Sequence, residues 1–155
     1  MNGSGIKVVA SNRKAFHEFT VGESWEAGLV LTGTEVKSIR AGKVNLSEGW
    51  VDIDARGEAW LVEVHISPYS HGNLMNHPEK RARKLLLQRK EIIKITHAIE
   101  AQGMSLVPIK IYMKGQRVKV EIALARGKKL HDKRDAQKTK DANREVARAM
   151  RHRTK

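Results

Sequence analysis

The run from Val107 to Leu124 restricts the possible folds more than any other part of the chain. Val107, Ile109, Ile111 and Met113 alternate with Pro108, Lys110, Tyr112 and Lys114; Gly115-Gln116 offers a turn; Val118, Val120, Ile122 and Leu124 then alternate with Arg117, Lys119, Glu121 and Ala123. A period of two on both sides of a turn is a hairpin with one face on a core. The other face offers Lys110, Lys114, Arg117 and Lys119 to solvent or phosphate. Proline lacks the N–H that a ladder needs, so Pro108 predicts an edge or a bulge at the start of the first strand.

Weaker signals surround this hairpin. The first dozen residues are small and polar with one short apolar patch, which predicts a loose leader and order beginning near Phe16. Phe19 to Val21 and Leu29 to Leu31 suggest two strand pieces, or one strand broken by a bulge, with Trp25 tucked against the body. Val36, Ile39 and Arg40 have the spacing of a short helix that Gly42 would end. A second hairpin is expected from Trp50 to Asp54 and from Ala59 to Ile66, turning at Arg56-Gly57, with Trp60, Val62, Val64 and Ile66 on one side and Leu61, Glu63 and His65 on the other. From Pro78 to a stop at Gly103 the spacing predicts one long helix or two joined ones, with Ala82, Leu85, Leu86, Ile92 and Ile93 as the apolar face. Four or more antiparallel strands with glycine-rich joints imply a mainly β fold, a small closed or partly closed barrel of the oligonucleotide-binding kind. A split sheet covered by a helix pair is the alternative.

A body of residues 1–125 then leaves 126–155 as a tail. That tail carries twelve Lys and Arg against four Asp and Glu, so eight of the chain's thirteen net positive charges lie there, with almost no large apolar side chain. It cannot build a core but can fold along an anionic surface. Nucleic acid is the favoured partner, because each cation set on a phosphate releases a counterion. A membrane surface fits less well, since the tail offers Val146, Ala147 and Met150 but no aromatic or leucine face. No cysteine occurs, which excludes disulfides and thiolate zinc sites. The absence of a signal-peptide core or a long apolar span predicts a cytoplasmic protein.

Nothing in the sequence points to a cofactor. No glycine spacing forms a phosphate loop followed by Lys and Ser or Thr. His65, His71 and His77 recur every six residues, which suits neither a helical metal pair nor a finger; surface positions or contacts to RNA are the remaining readings. Asp52, Asp54 and Glu63 could face one another across the second hairpin, but solvated strand carboxylates are the simpler account. Lys80, Arg81, Arg83 and Lys84, with Arg89 and Lys90, form a basic cluster, and Arg13, Lys14, Lys37, Arg40 and Lys43 extend basic character over the first third. Asn12, Asn45, Asn73 and Asn76 can make turns or read base edges, and Tyr69 can stack on an unpaired base.

Specific blocks run through the chain in order: Asn12-Arg13-Lys14-Ala15, Glu26-Ala27-Gly28, Gly33-Thr34-Glu35-Val36-Lys37-Ser38, Gly42-Lys43 with Asn45, Asn76-His77-Pro78, Arg83-Lys84-Leu85-Leu86-Leu87, and Gly127-Lys128-Lys129 followed by Asp132-Lys133-Arg134. With them, nearly the full length resembles the SsrA-binding protein family, the small protein B partners of transfer-messenger RNA in bacterial ribosome rescue. The resemblance implies an oligonucleotide-binding-like barrel with flanking helices that holds the transfer-RNA-like part of transfer-messenger RNA. It also implies a non-enzymatic adaptor, a monomer by default, that brings the charged RNA to a stalled ribosome. The tail would be disordered when free and helical in the vacant messenger channel near the decoding centre.

On this reading Asn12, Arg13, Lys14, Glu35, Lys37, Lys43, Asn45, His77, Arg81 and Lys84 serve RNA binding on the body. Lys128, Lys129, Asp132, Lys133, Arg134, Lys138, Arg144 and Arg148 serve the ribosome on the tail. Glu35 is the exception among cations: it either pairs with a neighbouring Lys or Arg or accepts from a base donor. Lys140, Arg144 and Arg148 recur every four residues, so a free tail helix would suffer repulsion of roughly 0.2–0.5 kcal/mol per pair, which RNA would remove. Gln137-Lys138-Thr139 stands where relatives often carry isoleucine-lysine-glutamate, and Met150 where they carry a bulky residue farther on, so the tail departs from the family's pattern at both places. A small RNA-modifying or RNA-cleaving enzyme, or a structural ribosomal protein, is the alternative.

Overall fold

A computed structural model of the protein describes residues 5–69 and 76–128. The expected roles of Lys129, Asp132, Lys133, Arg134, Lys138, Arg144, Arg148 and Met150, like those of His71 and Asn73, lie outside the described residues. Chain order is β1 (Ile6–Ser11), α1 (Arg13–Glu18), β2 (Phe19–Leu29), α2 (Gly33–Arg40), β3 (Val44–Asn45), β4 (Trp50–Ile53), β5 (Ala59–Val62), β6 (His65–Ile66), β7 (Arg83–Leu86), α3 (Arg89–Gln102), β8 (Ser105–Lys114) and β9 (Arg117–Gly127). Seven strands make one antiparallel sheet in the order β1-β8-β9-β2-β7-β5-β4, and β3 pairs with β6. The sheet curls until β4 comes back against β8, yet no ladder joins the two, so the mainly β fold is a partly closed barrel and not a closed one.

The β8–β9 hairpin forms as its alternation dictates, and Pro108 marks the irregularity. Pairing runs from Pro108↔Ile122 to Lys110↔Glu121, so Ile109 is an extra residue in β8. A bulge of one residue exchanges the two faces. Ile111 and Met113 therefore enter the main core with Val118, Val120 and Ile122, whereas Val107 and Ile109 pack with Ala15, Ala123 and Ala125 in a second cluster on the other side. β2 is one strand whose register shifts between Val21 and Ser24, the broken-strand alternative, and Trp25 is half-buried against the main core. α2 ends at Arg40, with Gly42 just beyond at φ 78°.

Three expectations are corrected. Order begins well before Phe16: Ile6 to Ser11 pair with Lys110 to Lys114, because the edge of β8 offers an open ladder to even a short apolar patch. The phase of the second hairpin is not continuous. Ala59 and Leu61 point inward, Glu63 adopts φ 60°, and this turn brings Val64 and Ile66 into the core on the opposite parity. The long helix from Pro78 is shorter than expected. Arg83 to Leu86 is a strand with Arg83 and Leu85 buried and Leu86 exposed, and α3 starts only at Arg89, buries Ile95 and Ala98, and leaves Ile93 exposed. Both periods fit leucines at this spacing; the strand wins because β2 and β5 flank it with free ladder positions.

Candidate nucleic-acid interface

Glu35 of α2 meets two arginines, Arg83 of β7 and Arg81 just before that strand. Thr32 and Glu35 form a capping box: the Glu35 N–H donates to Thr32 Oγ1 at 3.3 Å, and the Thr32 N–H donates to Glu35 Oε1 at 2.9 Å. The same carboxylate accepts from Arg81 Nη2 at 2.6 Å and from Arg83 Nε at 2.7 Å. Glu35 and Arg83 are fully buried. Arg83 spends its other donors on the carbonyls of Val64, Pro78 and Glu79, at 2.7, 3.3 and 3.0 Å. Burial pushes the Glu35 carboxyl up, but hydrogen bonds from Arg81, Thr32 and Arg83 outweigh it and hold the group down at about 2. Desolvation lowers the Arg83 guanidinium, and the bond to Glu35 raises that of Arg81. Glu35 thus pairs with neighbouring arginines and fixes α2 to β7 and to the segment just before it.

Around this joint lies a band of polar and basic groups. Asn12 is buried; it caps α1 by accepting from the Ala15 N–H at 3.1 Å and donates to the carbonyls of Pro108 and Leu46 at 2.8 and 3.3 Å. This sets Arg13 and Lys14 beside the segment after β3, where Lys14 reaches Glu48 at 2.9 Å. Asn45 is exposed and accepts from the Ser47 N–H and hydroxyl, while the Lys43 carbonyl accepts from the Ser67 N–H. The Lys37 ammonium sits 5.3 Å from the centre of the Tyr69 ring, and Asn76 clamps the Tyr69 backbone by bonds of 2.9 and 2.7 Å. His77 is buried: Nε2 donates to the Ile66 carbonyl at 3.0 Å and Nδ1 lies 2.8 Å from the Thr34 hydroxyl. Arg13, Lys14, Lys37, Lys43 and Asn45 are therefore exposed members of this band, Lys14 being paired with Glu48, and Asn12, Glu35 and His77 are the buried groups beneath it.

Lys84 lies elsewhere, on the outward face of the sheet. Gly28 pairs with Leu86 on one side and Lys119 on the other. A Cβ at Gly28 would meet Leu86 Cδ1 at 3.4 Å and Lys119 Nζ at 3.7 Å, so the glycine keeps the floor between them low. A depression of about 540 Å³ results, edged by Lys84, Lys119, Glu26 and Glu58, with Leu86 54% exposed. Not all of this face is cationic. Lys84 pairs with Glu58 at 3.2 Å, Lys110 with Glu121 at 3.5 Å and Lys114 with Glu26 at 3.3 Å, and the Tyr112 hydroxyl donates to Glu26. The expected row of lysines on β8 and β9 is a mixed-charge surface, since β2 brings Glu26 to it.

The family described as "SmpB protein" matches residues 9–152. The chain belongs to that family. It is 54% identical over 150 residues to an SsrA-binding protein of Roseiflexus sp. (strain RS-1), with 96% of this chain and 94% of the relative covered. It is 50% identical over 151 residues to an SsrA-binding protein of Desulfitobacterium hafniense (strain DSM 10664 / DCB-2), with 97% and 96% covered. Among solved structures it matches a chain described as "tmRNA-SmpB: a journey to the center of the bacterial ribosome" at a TM-score of 0.67 and 39% identity, covering 90% of this chain and 94% of that one.

For a member of the SmpB family, the remaining sequence candidates resolve into structural parts. Asp52 faces Trp60 across the hairpin and not Glu63. The Asp54 carboxylate accepts from the N–H groups of Arg56 and Glu58 and from Trp60 Nε1, all at 2.9 Å, and these bonds lower its pKa. Glu63 pairs with Lys80 at 3.7 Å and His65 with Glu79 at 2.7 Å. Among the described residues, no group of three or more His, Cys, Asp or Glu could hold a metal ion, and no helix is long and apolar enough to cross a membrane. Site reasoning from sequence missed Arg83 as the buried partner of Glu35 and placed Leu86 in the core; it named Lys119 among the outward cations of the hairpin but did not set it beside Lys84. A signal for Arg83 existed in Arg83 and Leu85 at alternate inward positions, because a buried guanidinium requires a carboxylate.

Proposed function

We propose that this chain is the non-enzymatic RNA-binding adaptor of trans-translation, which holds the transfer-RNA-like domain of transfer-messenger RNA on its body and delivers it to stalled bacterial ribosomes. The observation that carries this reading is the outward sheet face around Gly28, where Lys84, Lys119 and an exposed Leu86 border an open depression on an oligonucleotide-binding type of barrel. Shape and phosphate contacts dominate the recognition of folded RNA, and a rigid curled sheet supplies both. The band of Arg13, Lys37, Lys43 and Asn45, set by Asn12, Glu35, His77 and Arg81, gives a second cationic surface and lets the body lie between two RNAs. The names of the relatives and the subject of the matched structure support this partner pair. In this role the protein works in the cytoplasm.

The tail has a separate job: Lys128, Lys129, Asp132, Lys133, Arg134, Lys138, Arg144 and Arg148 occupy the vacant messenger channel near the decoding centre. Deleting residues 131–155 is expected to leave affinity for transfer-messenger RNA within a few-fold in a gel-shift titration while abolishing tagging on stalled ribosomes. Loss of both together would refute the division between body and tail. Replacing Lys84 and Lys119 together by Glu is expected to weaken RNA binding, and tagging with it, with the fold intact by circular dichroism.

A further inference from the structure

We infer that the open seam of the barrel, between β4 and the start of β8, is a docking site for an extended cationic segment of another protein, which adds to the sheet as a strand. β4 ends the strand order and carries a ladder on one side only, that of β5. The pairing of β1 with β8 begins at Ser11↔Lys110, so Ser105, Leu106 and Val107 have β9 beside them and, among the described residues, no strand on the other side. Two bare strand edges thus border one cleft of about 820 Å³, which α1 and the end of α3 also line. Unpaired N–H and C=O groups on an edge are a template for a further strand, and sheets take up extended peptides through such main-chain bonds.

The side chains of the seam select the occupant. Val51 and Ile53 pack on the main core, which leaves Trp50 and Asp52 on the outward face of β4, with Trp50 46% exposed. Phe19, Ile99 and Leu106 give the cleft an apolar floor. Glu18, Glu48, Asp52, Asp54 and Glu100 line it as well, against one cation, Lys14, which is paired with Glu48. Asp54 is taken up by Trp60 and by the N–H groups of Arg56 and Glu58, whereas Asp52 and Glu100 enter no ion pair among the described residues. On a chain with a net charge of +13, this concentration of carboxylates repels RNA and attracts a cation. A strand laid beside β4 sets side chains across from Trp50 and Asp52, where lysine or arginine meets a ring face and a carboxylate, and its alternate side chains turn to the apolar floor. Two copies of β4 set edge to edge would instead bring like charges together. The occupant is therefore a partner chain in which cationic and apolar residues alternate.

The probe is a short synthetic peptide that alternates lysine with valine, titrated into the full-length protein without RNA. The amide signals of Val51, Ile53 and Leu106 are expected to shift, and those of Val51 and Ile53 to gain protection from hydrogen exchange, while Gly115 and Arg117 at the far end of the β8–β9 hairpin stay where they are. The same peptide with glutamate in place of lysine, or with alternate backbone nitrogens methylated so that the ladder cannot form, is expected to leave all of them unmoved. Asp52→Asn/Glu100→Gln is expected to weaken the lysine peptide about fivefold, as the loss of two exposed charge pairs implies, and to leave the gel shift with transfer-messenger RNA unchanged. Equal binding of either control peptide, an affinity that the double variant does not alter, or shifts at Gly28 and Lys119 in place of the seam would overturn the inference. So would movement of the Val51 and Ile53 signals when residues 129–155 are deleted, which would put the chain's own tail there. The titration contains no RNA, so seam docking and the adaptor role stand or fall separately.

Discussion

Glu35 and Glu26 are both carboxylates among cations, and they have opposite uses. Glu35 is fully buried, and its partners are two arginines whose planar forks also reach four carbonyls. Glu26 lies at the surface with Tyr112 and Lys114. Arginine keeps its charge and its geometry when desolvated, whereas a lysine ammonium on a flexible stem is easily transferred from one anion to another. The buried joint therefore fixes the shape of the surface around α2, while the exposed pairs hold lysines that, on the proposed function, a phosphate would claim. The molecule thus holds two kinds of charge: one that must never leave its partner and one that must be free to.

The sharpest way to break this contrast is Glu35→Gln. The substitution keeps the volume but strands Arg83, and stranding one member of a buried pair costs about 3–5 kcal/mol. Against the 5–15 kcal/mol that holds a typical domain, urea titration is expected to show the midpoint falling steeply. A loss below about 1 kcal/mol would show that water reaches the joint and that Glu35 is no more structural than Glu26.

Acid tests the same joint with no mutation. The Glu35 carboxyl lies at about 2 in the folded protein against an ordinary 4.5, so its contribution to stability, about 3 kcal/mol at most, is complete above the unfolded value. As pH falls the unfolded chain takes up the proton first, and stability drains away from about pH 5 down to about pH 2. Denaturation curves in that window are expected to slope steeply in the parent and less in Glu35→Gln; equal slopes would assign the acid sensitivity to other carboxylates.

How much of this could be read in the sequence depends on what each pattern had to decide. The β8–β9 alternation forced its hairpin, and Pro108 forecast the bulge, but not that Val107 and Ile109 would thereby face a separate cluster. Residues 82–86 misled because Ala82, Leu85 and Leu86 fit a helical face as well as a strand, and only the neighbouring strands β2 and β5 break the tie. The basic candidates were visible by type. Their sorting was not: Lys84 stands with Lys119 through pairing across β7, β2 and β9, and Glu26 reaches Lys114 from 88 residues away. Contacts at such separation are set by register, which single-strand patterns do not contain.

On the exposed side, Lys119→Ala should sharpen the contrast. Lys119 enters no ion pair among the described residues and borders the open floor at Gly28. Removing one phosphate contact is expected to cost about 1 kcal/mol of RNA affinity and to reduce the slope of log affinity against log salt by about one. Unfolding stability should stay within about 0.5 kcal/mol of the parent. A large stability loss with an unchanged salt slope would move Lys119 to the structural class.

The smallest effect expected is that of Tyr112→Phe. The phenol is buried and its hydroxyl donates to Glu26; burial first, and that bond second, push its own pKa up. Deleting the hydroxyl removes one hydrogen bond to a charged group, but Glu26 is at the surface and water replaces the donor, so the cost should be no more than about 1 kcal/mol. The informative readout is Glu26 itself. The Tyr112 bond is the largest cause of its lowered pKa, ahead of the contributions of Lys114 and Lys119, so its carboxyl resonance should titrate at higher pH in the variant. Glu35 is held by several donors at once, and its titration should not move. If Glu26 also stays where it was, the lysines hold it, and they are then less free for RNA than the sheet face requires.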